Sequence, residues 1–291
     1  MGGWPGPAGS SANQLASSGR DLTAGDVVIR SACERWADAL EEWAIPERIQ
    51  ALAPEPPWVL PTSFFKVEAP LRRDTRPSLE VARAALGTGG SVLDVGCGGG
   101  GGSVPLVPLA VEIAGVDERA GMLTNFAAAC AEAEVAHTEV EGKWPETAGL
   151  VDPADVVVCH HVVYNVALIA PFLRALTEHA RRLVVVELTA THPTAPFNYL
   201  WEHFWQLPRP SEPTAQLFLE VVRELGYQPV EQSWRRPPDP PRMTRAEYVA
   251  FARRRLCLSS DRDAEVAEAL GENWHLEVPQ LVAVSWAPER S

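Results

Sequence analysis

Val92-Leu93-Asp94-Val95-Gly96-Cys97-Gly98-Gly99-Gly100-Gly101-Gly102-Ser103 decides how this chain is read. A short apolar strand ends in an acidic residue and then breaks into six glycines within seven positions. Glycine at a strand end permits tight turning and positive φ. It also lets a ligand lie directly on main-chain N–H groups. A second apolar stretch, Val111-Glu112-Ile113-Ala114-Gly115-Val116-Asp117, again ends in a carboxylate, a group that accepts hydrogen bonds from ribose hydroxyls. Together the two stretches predict a nucleoside-containing ligand across the ends of the first two strands.

Two glycine patterns overlap here. Gly96-x-Gly98-x-x-Gly101 satisfies the dinucleotide fingerprint, with Asp117 close to the expected spacing of about 20 residues. That reading leads to an NAD-dependent oxidoreductase. The competing pattern is Asp94-x-Gly96-x-Gly98-x-Gly100. Asp94 separates them, because a carboxylate beside the turn attracts an ammonium group and repels a pyrophosphate. S-adenosylmethionine (SAM) carries an ammonium and a sulfonium and has no phosphate. On these residues the chain resembles the class I SAM-dependent methyltransferases.

Further motifs of that family follow in order. Val116-Asp117-Glu118-x-x-x-Met122-Leu123 resembles its second motif, which implies Asp117 on the ribose and Met122 packed near the adenine. Glu141-Gly142-Lys143-Trp144 stands where the loop after strand three touches the adenine, although many members have Gly-Asp where this chain has Glu-Gly. Ala154-Asp155-Val156-Val157-Val158-Cys159-His160-His161-Val162-Val163-Tyr164-Asn165 resembles the fourth motif, which flanks the transferable methyl. The resemblance therefore implies cofactor contacts from Asp94, Gly96, Cys97, Gly98, Asp117, Glu118, Met122, Glu141, Gly142, Lys143, Trp144, Cys159 and His160. Arg76, just before the core, stands where family members close over the methionine end, and is expected to pair the SAM carboxylate.

The resemblance covers residues 78–291 and implies a Rossmann-like α/β fold: a doubly wound, seven-stranded, mostly parallel sheet. The residue pattern agrees. Strands are read near 91–95, 111–116, 135–140, 155–159, 182–188, 226–235 and 280–287, and helices near 119–133, 168–180, 213–225 and 244–256. Val156-Val157-Val158 and Leu183-Val184-Val185-Val186 are continuous apolar runs, as central parallel strands covered on both faces require. Ser78 is expected to cap a helix through Leu86. In such sheets ligands bind outside the C-terminal strand ends.

Residues 1–20, rich in Gly, Ser, Ala and Pro, read as a disordered tail, and 21–77 as a small helical N-terminal cap. In the cap, Val28, Ala32, Trp36, Leu40 and Trp43 fall on one face at helical spacing and Pro46 ends the run. Trp36 and Trp43 read as the seam of a packed helix rather than substrate contacts. A lid insertion is expected near 190–212, where Phe197-Asn198-Tyr199-Leu200-Trp201-Glu202-His203-Phe204-Trp205 follows strand five.

Methyl transfer asks the protein to align the nucleophile, exclude water and, where needed, remove a proton. His160, His161 and Tyr164 are the candidate catalytic residues, with Glu187, His192 and His203 as further possible bases. The two adjacent histidines are expected to point opposite ways from strand four. Tyr164, His192, Trp201, His203, Trp205 and Phe65 are the expected substrate contacts. No His, Asp or Glu cluster has convincing ligand spacing, so no metal is expected.

The net charge, 25 basic against 38 acidic residues, is −13, which argues against a phosphate-tracking surface and for a small-molecule acceptor rather than nucleic acid. No apolar run approaches a membrane span and no secretory leader is read. Five cysteines without Cys-x-x-Cys spacing fit a reduced, cytoplasmic protein. A non-catalytic SAM-binding or partner-binding protein stays open beside the enzyme and oxidoreductase readings. Nothing in the sequence sets the oligomeric state.

Overall fold

The computed structural model describes residues 30–57, 74–235, 243–272 and 279–289. Its centre is one seven-stranded sheet: β1 (Gly90–Val95), β2 (Ala110–Asp117), β3 (Ala136–Glu141), β4 (Ala154–His160), β5 (Ala180–Thr189), β6 (Val230–Arg235) and β7 (Gln280–Trp286). The order across the sheet is β3-β2-β1-β4-β5-β7-β6. The pairings from β3 to β5 are parallel, and β7 runs antiparallel to both β5 and β6. The expected doubly wound, mostly parallel sheet is thus present. The order reverses between β1 and β4, the switch point where such sheets open a crevice at their C-terminal edge.

The helices are α1 (Ala32–Glu41), α2 (Glu47–Gln50), α3 (Pro77–Leu86), α4 (Ala120–Glu132), α5 (Ile169–Glu178), α6 (Asn198–Trp205), α7 (Ala215–Glu224), α8 (Arg245–Arg255) and α9 (Asp263–Leu270). β4 and β5 bury Val156, Val157, Val158, Val184, Val185 and Val186 completely, because helices cover both faces. On one face α1, α5 and α7 pack on Leu93, Val157, Val184 and Val186, and on the other α3 and α4 pack on Val92, Val156, Val158 and Val185.

α1 begins at a capping box in which the Ser31 hydroxyl accepts from Glu34 N and the Glu34 side chain accepts from Ser31 N. The Glu224 carboxylate at the end of α7 also accepts from the backbone N–H groups of Ala32 and Cys33. An acid against the positive end of a helix dipole ties α1 to α7. Trp36 is fully buried, stacks on Tyr164 and packs on Phe218. The seam expected of α1 is therefore a structural one.

One local expectation is corrected. Ser78 does not cap α3: the N-cap is Arg76, Pro77 occupies the first turn, and Ser78 is wholly buried. The aromatic segment after β5 carries α6. α6 shares a third apolar cluster with Ile45, Ile49, Val249, Ala252, Leu256 and Val266, from α2 and its approach, α8 and α9. Three stretches distant in sequence thus build one helical layer. Among the described residues no helix is long and apolar enough to cross a membrane. The predicted 1–20 tail, Phe65 and the neighbouring aromatics Trp58 and Phe64 lie outside the described residues.

Candidate active site

The glycine run leaves β1 and turns back under β2. Gly96, Gly98 and Gly100 have φ of +72°, +52° and +86°. These are the three glycines of the Asp94-x-Gly-x-Gly-x-Gly pattern, and each occupies the left-handed region that a side chain disfavours. A Cβ on Gly96 would lie 2.3 Å from Val162 Cγ2, so this turn also needs bare backbone for space.

Asp117, at the end of β2, joins the strand to the loop. Its Oδ2 accepts from Gly98 N at 2.9 Å and its Oδ1 from Arg119 N at 3.0 Å. A carboxylate has roughly four lone-pair positions, so these bonds leave capacity for ribose hydroxyls. Gly142 N donates to Asp117 O at 3.0 Å, which sets the loop after β3 beside the same strand end. Gly142 has φ +149° and its Cβ would meet Thr147 Cγ2 at 2.4 Å. Glu118, Glu141 and Lys143 are exposed around this edge, and Met122 is buried in the first turn of α4. Trp144 is instead committed to the core: its indole N–H donates to Phe172 O at 3.4 Å and its ring packs edge-on to His179.

Asp94 lies beneath the loop, 1% exposed. Its Oδ2 accepts from Ser103 Oγ at 2.6 Å. Burial pushes its carboxyl up to about 7, with Asp117 adding in the same direction and the Ser103 hydroxyl opposing it. A buried carboxyl of this kind suits a nearby cation, which would hold it ionised. Cys97 and Cys159 are buried thiols, and burial raises both. Cys159 sits wholly within the core of β4.

A polar cluster spans the ends of β4 and β5. Glu187, on β5, is fully buried. Arg76 Nη1 donates to its Oε1 at 3.1 Å, and the Ser78 hydroxyl donates to its Oε2. Arg76 also donates from Nε to Asp74 at 2.8 Å and from Nη2 to Gly101 O at 2.8 Å. Its guanidinium is thus engaged on internal acceptors, one of them the glycine loop. His160 Nδ1 lies 3.8 Å from Glu187 Oε2, and His161 Nε2 lies 3.0 Å from Oε1. Burial alone would raise the Glu187 carboxyl; His160, His161 and Arg76 outweigh it and hold the group well below the usual carboxylate range.

The expected opposition of the two histidines fails here. β4 ends at His160, and His161 takes φ +61°, leaving the alternation of the strand. Both imidazoles therefore approach one carboxylate. His160 is 7% exposed, and a Cβ on Gly102 would lie 3.2 Å from its Nδ1, so it sits under the loop. His161 is 41% exposed.

Tyr164 and His192 meet in an aromatic group next to this edge. The Tyr164 hydroxyl donates to Thr189 O at 2.8 Å, and burial raises it above its ordinary value. His192 stacks on Trp43 at 3.9 Å and meets Tyr164 edge-on at 5.2 Å. Burial, reinforced by Arg209 and Arg255, pushes His192 down to about 3. The Arg209 guanidinium lies over both Trp43 and Trp201. His203 is exposed on α6, and Trp205 Nε1 donates to Leu256 O at 2.7 Å, so these two belong to the helical layer. Ser78, Ser103 and Arg209 were missed as partners, since an isolated Ser or Arg carries no pattern until the fold supplies its neighbour.

Residues 93–184 match the family model described as a methyltransferase domain. No curated protein matches the sequence. Among solved structures, the chain is similar to the YcgJ protein from Bacillus subtilis (TM-score 0.49, 14% identity, 73% of this chain and 99% of that one). It is also similar to a SAM-dependent methyltransferase from Thiobacillus denitrificans in complex with S-adenosyl-L-homocysteine (0.48, 16%, 84% and 99%). A third is magnesium protoporphyrin IX methyltransferase from Synechocystis PCC 6803 with bound S-adenosylhomocysteine (0.47, 15%, 74% and 80%). The family match runs from Leu93 in β1 to Val184 in β5 and so takes in the loop, Asp117, Gly142 and both histidines; over this stretch the chain is similar to methyltransferase domains.

Proposed function

We propose that the chain transfers the methyl group of SAM to an oxygen or nitrogen atom of a small molecule, at the C-terminal edge of β1, β2 and β4. The observation that carries this reading is the left-handed φ of Gly96, Gly98 and Gly100 together with Asp117 at the end of β2. Asp94, buried and raised by burial, favours a cationic ligand over a pyrophosphate. SAM, when bound, supplies a methyl group already activated for transfer. The loop N–H groups and Asp117 would hold it, Gly142 would border the adenine, and Met122 would underlie the same pocket. The chain's remaining task is to place the acceptor and exclude water. The aromatic side chains of Tyr164, His192 and Trp201 favour a small, partly apolar acceptor, and the net charge of −13 disfavours nucleic acid. All five cysteines are free thiols, which fits work in the cytoplasm.

Titration calorimetry with SAM, with S-adenosylhomocysteine and with NAD tests the reading. Saturable micromolar binding of the first two is expected, lost in Gly96→Ala. NAD binding in place of SAM would return the oxidoreductase. Tight SAM binding with no transfer across a broad acceptor set would favour a non-catalytic binding protein.

A further inference from the structure

His161 is held by one residue through two bonds. Its backbone N–H donates to Glu187 O at 2.7 Å, and its ring Nε2 lies 3.0 Å from Glu187 Oε1. The first bond crosses from the end of β4 to β5; the second fixes the plane of the imidazole. The residue adopts φ +61°, a conformation in which His, Asn and Asp are enriched among non-glycine residues. Glu187 is itself fixed by Arg76 and Ser78 at the start of α3 and is fully buried. An ionised carboxylate only accepts hydrogen bonds, so the nitrogen that faces it must carry the proton. In the neutral imidazole Nε2 is then N–H and Nδ1 keeps its lone pair, on a side chain that is 41% exposed at the strand ends. His160 approaches the same carboxylate but is only 7% exposed and lies against the glycine loop. Tyr164 is excluded as a base by its bond to Thr189 O and its raised hydroxyl.

We infer that Glu187 is a positioning residue that presents Nδ1 of His161 as the general base of this site, so that the acceptor is a hydroxyl compound that loses its proton during methyl transfer. This rests on the methyltransferase reading above. The acceptor's O–H bond breaks and its proton moves to Nδ1. The oxygen lone pair forms the new bond to the methyl carbon, and the pair of the broken C–S bond stays on sulfur. The Glu187 carboxylate stabilises the imidazolium until it returns the proton to water. A carboxylate, a thioether or a tertiary amine as acceptor has no proton to lose and would leave this pair without a task.

The test begins with the full chain labelled with nitrogen-15, after calorimetry with S-adenosylhomocysteine. Failure of that binding counts against the methyltransferase reading alone. A long-range proton–nitrogen spectrum, assigned with His161→Asn, then reports the tautomer of His161. The expected result is Nε2–H with a bare Nδ1. Glu187→Gln should keep it, because Arg76 forces the amide oxygen to the side shared with His161. Glu187→Met should leave a mixture of tautomers. A wild-type Nδ1–H tautomer, or an unchanged tautomer in Glu187→Met, overturns the inference; if Glu187→Met does not fold, the wild-type spectrum decides. The second arm uses tritiated SAM with a set of phenols and aliphatic alcohols. His161→Asn should lower transfer to oxygen by about 100-fold or more while affinity for S-adenosylhomocysteine stays within about twofold. Undiminished transfer to oxygen in His161→Asn also overturns it.

Discussion

Asp94 shows how one side chain ties the glycine loop to the chemistry of the site. Folding raises its carboxyl from 3.8 to about 7, mainly by burial. The folded protein therefore binds a proton that the unfolded chain has released over that interval. Stability falls as pH rises from about 4 to about 7, and the loss is complete above the folded value. Its size is on the order of a few kcal/mol, with an upper bound of about 4 kcal/mol. Asn at this position keeps the shape and an acceptor for Ser103 but does not ionise. Thermal melts of the ligand-free wild type and Asp94→Asn across pH 4–8 should diverge, the variant gaining relative stability as pH rises. Parallel curves would show that the Asp94 carboxyl titrates as it does in water. With SAM present the wild type should recover, since a neighbouring cation favours the ionised form.

Among the elements, α1 is the one whose role changed most between pattern and fold. Its apolar face reads as a local cap, yet Trp36 enters the main core beside β4 and β5 and donates from Nε1 to Val166 O at 2.9 Å. Trp36→Ala removes the stack on Tyr164, the contact with Phe218 and that hydrogen bond. A cost of about 3–5 kcal/mol is expected, read as a lower urea midpoint. A midpoint unchanged within error would mean that α1 rests on the surface. The loss should also loosen Tyr164 and His192, because Trp36 and Trp43 hold that aromatic group from the α1 side. α6 teaches a similar lesson: Trp201 and Leu200 are buried in the helical layer, whereas His203 on the same helix faces solvent.

The whole molecule couples its sheet to its helical layer through the segment 30–57. α1 belongs to the core of the sheet, while Ile45 and Ile49, a few residues on, belong to the cluster of α6, α8 and α9. Arg209 adds a second link, with its guanidinium over Trp43 and Trp201 and bonded to the carbonyls of Trp43 and Ala44. Urea unfolding should therefore be one transition, with far-ultraviolet circular dichroism and tryptophan fluorescence coincident. Two separated transitions would mark the helical layer as an independent unit.

The sequence by itself determined the sheet and the glycine turn at its C-terminal edge. Continuous apolar runs make central parallel strands, and acidic strand ends with a spaced glycine run need no distant partner to be recognised. Strand positions and the turn after β1 with its left-handed glycines were legible for that reason, as they depend on period and local backbone chemistry. The tertiary structure alone decided which polar groups meet. Arg76, Ser78, His160, His161 and Glu187 come from three segments, and only the pairing of β4 with β5 and the packing of α3 bring them to one carboxylate. It alone placed Trp144 in the core and built the helical layer from α2, α6, α8 and α9. Contacts between residues far apart in sequence leave no period or spacing to read, because they are set by how the elements pack.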